Sequence, residues 1–419
     1  MRILKTGISI LNNILLFTLA CFPLFPLQIG GLFIMLWGIS ALLYWPFNGK
    51  PVVKKQWLVF LLLIAPYLAL AISGFQTENL KGLEFSLTQK LSFWVFPLGV
   101  LATSNQFTRE KALALAGVFT LATFIVLLYS NVVIQINGLV GIDSGYLESD
   151  LSTAYRKSIE LYSGIHPTYL ALYTYFGIFT LLEFHKLRFL FKSKLVRDIT
   201  YFGLSAMLFI LSIPLSARWP LIVFLILIAL RFFNKNKWSR KSVITAVVVS
   251  CVAIFSLLQS GSFKDRISET LNTKLEFPVG NNHNSTNVRF GIYNCAIELI
   301  QSNWLTGVGI GDTQDELNRC YEQYDTDIYK ELNFNTHNTF FNFSVTAGIL
   351  GLIALLALYI KSFKSYRNWG LAVSFLALVI FSSLTENVFD RQLGIVFFCL
   401  FNSIFVFTNL REDALSKTE

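Results

Sequence analysis

Long apolar segments alternate with short polar ones along almost the whole chain. An apolar segment of about 20 residues is long enough to cross the hydrocarbon core of a membrane as a helix. The pattern predicts twelve spanning helices, at residues 8–27, 30–46, 57–75, 89–104, 113–136, 167–184, 199–215, 217–233, 243–259, 338–360, 370–384 and 391–408. The first is interpreted as a span, not a removed signal peptide, because a second apolar segment follows at once and no small-residue cleavage site separates them.

Composition agrees with this interpretation. Apolar residues make up 54% of the 419 positions and charged residues only 14%, with 40 Phe. A soluble domain needs more charge to cover its surface. We therefore expect an all-α integral membrane protein with about twelve transmembrane helices.

The distribution of charge predicts the orientation of the chain. If the N-terminus lies inside and the connections alternate, most of the 34 Lys and Arg residues fall inside and most of the 25 acidic residues fall outside. Such a bias is typical of cytoplasmic connections. Both termini are thus predicted to be cytoplasmic. The net charge of +9 then reflects membrane orientation, and we expect no nucleic-acid partner.

Two outside connections are longer than a turn, at 137–165 and 260–336. The second divides the chain into three regions: helices 1–9 in 1–259, the loop in 260–336, and helices 10–12 with a short tail in 337–419. Apolar positions at near-helical spacing predict an amphipathic helix over 288–303 that lies against the membrane face of the protein.

The rest of this loop is predicted to form a turn and a second helix. Gly307-Val-Gly309-Ile-Gly311 predicts the turn, and 312–330 predicts a second, polar helix. Asn335 or Thr336 is expected to cap the next span.

Cysteine usage leaves one question open. Cys295 and Cys320 both fall in the long outside loop, where they form a disulfide if that side is oxidising and otherwise remain free thiols. The sequence has no C-x-x-C motif and no His/Cys cluster of the kind that binds zinc, so we expect no metal site and no cofactor.

Two arginines are candidates for phosphate binding. Arg218 follows Ser216 in a tight outside turn between two spans, where the alternative is an interfacial anchor beside Trp219. Arg289 lies near the start of the amphipathic loop helix, where the alternative is a solvated loop charge. A guanidinium suits bidentate contact with phosphate oxygens.

Two histidines are candidates for contact with substrate. His337 begins the span after the long loop, and Asn335 and Asn338 are placed to fix the tautomer of its ring by hydrogen bonding. A neutral imidazole there can accept a proton from an attacking hydroxyl. His166, just before Pro167 at the start of another span, is a secondary candidate together with Asn338. Interfacial anchoring is the alternative for both histidines.

Taken together, these motifs resemble the O-antigen ligase and O-antigen polymerase superfamily of bacterial membrane glycosyltransferases. The resemblance covers most of the second half of the chain, whereas the first half agrees only in hydropathy. It depends on the order and spacing of Ser216-x-Arg218, the Arg289 helix running to Trp304-Leu-Thr-Gly307-Val-Gly309, His337-Asn338 followed by Ala347-Gly348-Ile-Leu-Gly351, and the tail Leu384-Thr-Glu386-Asn387…Gly394…Phe397-Phe398.

The resemblance implies a reaction at the periplasmic face of the bacterial inner membrane. The donor would be a glycan on undecaprenyl diphosphate, and in a ligase the acceptor is a sugar hydroxyl of lipid A–core. Arg218 and Arg289 would bind the diphosphate, and His337 would act as general base or position the acceptor. The family reaction needs neither metal nor nucleotide. The His166-Pro-Thr-Tyr motif is not a general family feature, so the role of His166 stays open.

Two alternatives remain. A polymerase, which joins repeat units on the same lipid carrier, shares the architecture and the arginines; His337-Asn338 beside the long loop favours the ligase. A polytopic transporter or flippase is the alternative from another class. The near absence of charge from the spans and the lack of an internal repeat argue against it.

Overall fold

The computed structural model describes residues 2–47, 56–140, 148–185, 193–233, 276–280 and 284–416, and every longer regular element within these ranges is helical. The α-helices are α1 Arg2–Ala20, α2 Leu27–Tyr44, α3 Gln56–Ser73, α4 Leu80–Gln89, α5 Ser92–Ala102, α6 Arg109–Asn137, α7 Glu148–Ser163, α8 Pro167–Phe184, α9 Lys194–Ser212, α10 Arg218–Phe233, α11 Ser285–Ser302, α12 Thr313–Tyr321, α13 Ile328–Glu331, α14 Thr339–Tyr366, α15 Gly370–Ser382 and α16 Gln392–Leu415.

Seven of the helices in the described ranges are long and apolar enough to cross a membrane. They are Arg2–Ala20, Leu27–Phe47, Gln56–Gln76, Arg109–Asn137, Lys194–Leu215, Thr339–Tyr366 and Gln392–Leu415. The all-α membrane class is therefore confirmed. Four other predicted spans coincide with the shorter or more buried helices α5, α8, α10 and α15. The predicted span 243–259 lies outside the described residues, so the total of twelve stays a prediction.

The predicted end of the first span was wrong. The span predicted over 8–27 ends at Ala20, and a short 3₁₀ turn over Phe22–Leu24 separates it from α2. Pro23 and Pro26 explain the break, because proline lacks the N–H that would continue the helix.

The chain divides into two compact units. The larger comprises 1–19, 27–112 and 273–419, and the smaller comprises 20–26 and 113–272. In the larger unit α3 packs along α14 and α5 packs against α16, with Phe93, Phe389 and Phe398 in contact between them. In the smaller unit α8 is buried on nearly all sides, and its Tyr175 stacks on Phe224 of α10.

Helix α14 is broken in its middle, a feature that the sequence analysis did not predict. Ala347 and Gly348 leave helical geometry, with φ of 56° at Gly348. Backbone groups from the Trp304–Gly309 segment fill the break: Val308 N–H donates to the Val345 carbonyl (2.8 Å), and Ile349 N–H donates to the Trp304 carbonyl (2.8 Å). Within a membrane such a break is tolerated only where the freed backbone groups find other partners. Two of the segments that carry the family resemblance therefore form one structural element.

Gly348→Ala is expected to destabilise the protein. An added Cβ would lie 2.5 Å from the backbone carbon and oxygen of Leu305, and the positive φ alone costs about 1–3 kcal/mol. We expect a lower unfolding temperature in detergent than that of Gly203→Ala. Gly203 lies in α9, where an added Cβ would have no other atom within 4 Å, so alanine there should not destabilise. Equal unfolding temperatures for the two variants would show that the contact with Leu305 is not tight.

The long loop folds around a small core of its own. The buried face of α11 packs on α12 and α13 through Val288, Ile292, Leu317, Tyr321 and Tyr329. The predicted helix 288–303 is thus confirmed as Ser285–Ser302, and it packs both on the loop's own core and on α14. The single helix predicted over 312–330 was wrong, because the chain turns between α12 and α13.

A disulfide bond between Cys295 and Cys320 joins α11 to α12, which answers the question that the sequence left open. Disulfides typically contribute about 2–4 kcal/mol to the stability of a fold. The bond fixes the helix that carries Arg289 relative to the rest of the loop.

The loop is also fastened to the connection that follows α3. The Asp312 carboxylate accepts hydrogen bonds from the N–H groups of Glu78 and Asn79 (both 2.8 Å). Gly82 lies so close to Gly311 that an added Cβ would be 2.5 Å from its carbonyl oxygen. Two segments that the charge pattern assigns to the same side of the membrane are therefore in direct contact.

Candidate active site

His337 lies in the short connection between α13 and α14, and its backbone conformation is unusual. Among the described residues, only His337 (φ 43°) and Ser216 (φ 50°) are non-glycine residues with positive φ. Asn335 holds this conformation, because its Oδ1 accepts a hydrogen bond from the His337 N–H (2.8 Å). Strained backbone persists where surrounding contacts enforce it, and it often occurs at functional sites. Both residues fall in motifs that the sequence singled out.

The ring of His337 faces a carboxylate. Nδ1 of His337 lies 3.6 Å from Oε1 of Glu386, with the side chains 22% and 14% exposed. Nδ1 is buried and has no hydrogen bond to any other group in the described part of the chain. A small movement would bring the two groups into hydrogen-bond contact. Glu386 can then orient the imidazole and stabilise its protonated form, leaving Nε2 as the atom able to accept a proton.

The predicted roles of the two neighbouring asparagines were wrong. Asn335 binds the backbone of His337 and not its ring. Asn338, and not Asn335 or Thr336, caps α14: its Oδ1 accepts hydrogen bonds from the N–H groups of Phe340 (2.9 Å) and Phe341 (3.1 Å). Asn338 also donates to the Leu384 carbonyl (3.0 Å), so its contacts are structural.

The segments that carry His337 and Glu386 are tied together by further hydrogen bonds. Thr339 N–H donates to the Ser383 carbonyl (2.9 Å), and the Thr339 hydroxyl donates to the Glu386 carbonyl (3.1 Å). Asn335 Nδ2 donates to Oδ2 of Asp390 (2.8 Å). Because these contacts lie on both sides of the pair, they hold the segments that carry His337 and Glu386 next to each other.

The loop helix α11 brings Arg289 to the same unit through Tyr293. The Tyr293 hydroxyl donates to the His337 carbonyl (3.4 Å), and its ring meets Phe341 edge to face. Burial raises the pKa of Tyr293, while the positive charge of Arg289 lowers it and the charge of Glu386 raises it. Tyr293 therefore remains a hydrogen-bond donor, and both charges act at its hydroxyl.

Arg289 itself is exposed on the second turn of α11. Its guanidinium forms no salt bridge with a carboxylate among the described residues, which leaves its donors open to an anion.

Arg218 and His166 belong to the smaller unit. Arg218 is the first residue of α10, half-buried, directly after the strained turn at Ser216. Arg156 of α7 supports this turn by donating to the Leu215 carbonyl (2.6 Å). His166 caps α8: its Nδ1 accepts from the Thr168 N–H (3.4 Å), and its ring lies near Tyr169. Both α7 and Arg156 lie within 137–165, which was predicted to be a loop, and that prediction was wrong in this respect.

If His337 acts as the general base that the sequence predicts, Glu386→Gln is expected to lower kcat by at least about tenfold, with little change in KM. The amide keeps the size of the side chain but cannot stabilise a protonated imidazole. Glu386→Asp should restore part of the activity, because it restores the charge at a longer distance. A wild-type kcat in Glu386→Gln would mean that the carboxylate has no part in the chemistry.

The fold and these side chains define a polytopic helical membrane protein with a cation- and histidine-containing site beside a folded loop. Residues 202–356 match the family model described as O-antigen ligase, and this match supports the assignment of the chain to the O-antigen ligase superfamily. The matched region contains Arg218, Arg289, His337 and the break in α14. It does not include His166 or Glu386. No curated protein matches the chain.

Proposed function

We propose that the protein is an O-antigen ligase-like glycosyltransferase that moves a glycan from undecaprenyl diphosphate to a sugar hydroxyl of lipid A–core. The observation that carries this proposal is the pairing of His337 with Glu386 at 3.6 Å, next to the helix that bears Arg289, in the region matched by the family model. A base fixed by a carboxylate and a nearby guanidinium open to an anion are the groups that glycosyl transfer from a diphosphate requires.

In the proposed reaction, Nε2 of His337 accepts the proton of the acceptor hydroxyl as its oxygen attacks the anomeric carbon of the donor. The bond from that carbon to the diphosphate oxygen breaks, and the diphosphate leaves on its lipid. Arg289 stabilises the negative charge that develops on the leaving group. Arg218, at the N-terminus of α10 where the helix dipole favours anions, is proposed as a second diphosphate contact. Both arginines fit a reaction without a metal ion.

The proposed location is the bacterial inner membrane, with both termini in the cytoplasm and the site on the periplasmic side. The Cys295–Cys320 disulfide supports an oxidising environment for the loop. In this arrangement membrane lipid surrounds the spans, and the lipid-linked glycan and lipid A–core are the partners. His166 is proposed only as a contact for polar groups of the substrate.

The test is a gel of surface lipopolysaccharide from a deletion strain, with and without the wild-type gene. Loss of long chains to leave bare core, with polymer accumulating on the carrier lipid, is the expected result. Core that carries a single repeat unit would instead identify a polymerase. An unchanged profile would contradict both activities.

A further inference from the structure

A polar cavity of about 320 Å³ lies in the larger unit, near the segments that hold His337 and Glu386. Its volume falls within the range of roughly 300–1,000 Å³ that is common for ligand sites. Helix α4, the Gly311 turn, α12 and α14 form its walls. None of the candidate residues His337, Glu386, Arg289, Arg218 and His166 lines this cavity.

Two polar side chains with little exposed surface line the cavity. Asn342 is 8% exposed, and no hydrogen bond joins its side-chain amide to another group within the described ranges. Lys90 is 5% exposed; its ammonium group donates to Oε1 of Gln89 (3.5 Å) and is attracted by the carboxylate of Asp390. Polar groups on a cavity wall can exchange hydrogen bonds with water for hydrogen bonds with a ligand.

The charges of the cavity favour hydroxyl groups over phosphate. Asp390 and Asp315 line it together with Lys90, so the carboxylates outnumber the ammonium group. A phosphate would meet net repulsion there. Hydroxyl groups both donate and accept, and they suit a wall that mixes amides, carboxylates and one ammonium. Phe85 adds an apolar surface against which the face of a sugar ring can pack.

The cavity is connected to the candidate catalytic pair by two of its own wall residues. Asn335 precedes His337 by two positions, and Asp390 follows Glu386 by four. Asn335 Nδ2 donates a hydrogen bond to Asp390 Oδ2 (2.8 Å). A sugar ring bound here would therefore lie close to the segments that carry the reaction.

We propose that this cavity is a sugar-binding subsite that holds one ring of a glycan substrate through its hydroxyl groups. The proposal rests on the proposed glycosyl transfer, and it applies to a ring of either the acceptor or the donor. Kinetic measurements with the two substrates varied separately decide between these sources.

The variants are Asn342→Leu, which removes the side-chain amide at similar volume, and Ser86→Phe, which fills the cavity from α4. We expect each to raise KM by about tenfold or more for one substrate, with a smaller change in kcat. A raised KM for lipid A–core would assign the subsite to the acceptor, and a raised KM for the lipid-linked glycan would assign it to the donor. Ser344→Ala, on the same helix but away from the cavity, is the control and should behave as wild type.

Thermal unfolding separates binding from folding. Because the Asn342 amide makes no hydrogen bond within the described ranges, its replacement by leucine should not lower the unfolding temperature, so a raised KM without a lower unfolding temperature supports the subsite. If the wild type is active and both cavity variants keep its KM values for both substrates, the subsite is overturned and the proposed transfer stands.

A direct binding measurement does not depend on turnover. Saturation-transfer NMR on the detergent-solubilised protein would use core oligosaccharide and repeat-unit oligosaccharide, each released from its lipid. We expect signal from one of them with wild type and Ser344→Ala, and its loss with Ser86→Phe. If wild type transfers no glycan yet binds an oligosaccharide in this way, the transfer proposal fails and the subsite stands. Equal signals with wild type and Ser86→Phe, or no signal with wild type, would overturn the subsite.

Discussion

His337→Ala is expected to reduce kcat of glycan transfer by about 10²- to 10⁴-fold, the usual contribution of a positioned general base. Without the imidazole, the proton of the acceptor hydroxyl has no acceptor at the position that Glu386 fixes. KM for both substrates should change little, because the ring is proposed to act in the transition state. Transfer by purified protein in lipid nanodiscs, with both substrates varied, measures both parameters.

Two further variants separate chemistry from folding. His337→Asn introduces a residue that tolerates positive φ but cannot act as a base, so it should preserve the loop and remain inactive. His185→Ala removes a histidine that bonds Asp198 in the smaller unit (2.8 Å), and it should retain transfer. Near-wild-type turnover in both His337 variants would exclude the general-base role.

Much of the fold follows from local features of the sequence. Apolar length and charge asymmetry predicted the helical membrane class, and near-helical spacing of apolar positions predicted α11. The break in α14 could not be predicted in this way. In the sequence, Gly348 is one more small residue within an apolar span. The reason that the backbone leaves helical geometry there is its contact with the distant Trp304–Gly309 segment.

The site was only partly predictable for the same reason. His337 was singled out because it begins a span after the long loop, and Arg289 because it lies near the start of the amphipathic loop helix. Glu386 appeared in the sequence only as part of the tail motif, because nothing in the residues around it shows that it faces His337. Its approach to His337 depends on hydrogen bonds between segments almost fifty positions apart. Lys90 fell within the predicted span 89–104, and the sequence does not show that it lines a cavity.

Replacement of Arg289 should produce the second large effect. Arg289→Ala removes one group proposed to stabilise the leaving diphosphate, and loss of a single such donor typically costs about 10²- to 10³-fold in kcat. Arg289→Lys keeps the charge but loses the planar, bidentate contact, so we expect an intermediate loss of about tenfold or more. We therefore predict that transfer activity falls in the order wild type, Arg289→Lys, Arg289→Ala. The measurement is kcat together with KM for the lipid-linked donor.

The matched control is Arg319→Lys on α12 of the same loop. Arg319 is exposed and pairs with Glu316 (2.6 Å), a surface contact that contributes little, so this variant should transfer as wild type. If Arg289→Lys equals wild type while Arg289→Ala is impaired, Arg289 acts only as a point charge. If both equal wild type, Arg289 is a solvated loop charge, and binding of the diphosphate must depend on Arg218 or on groups outside the described residues.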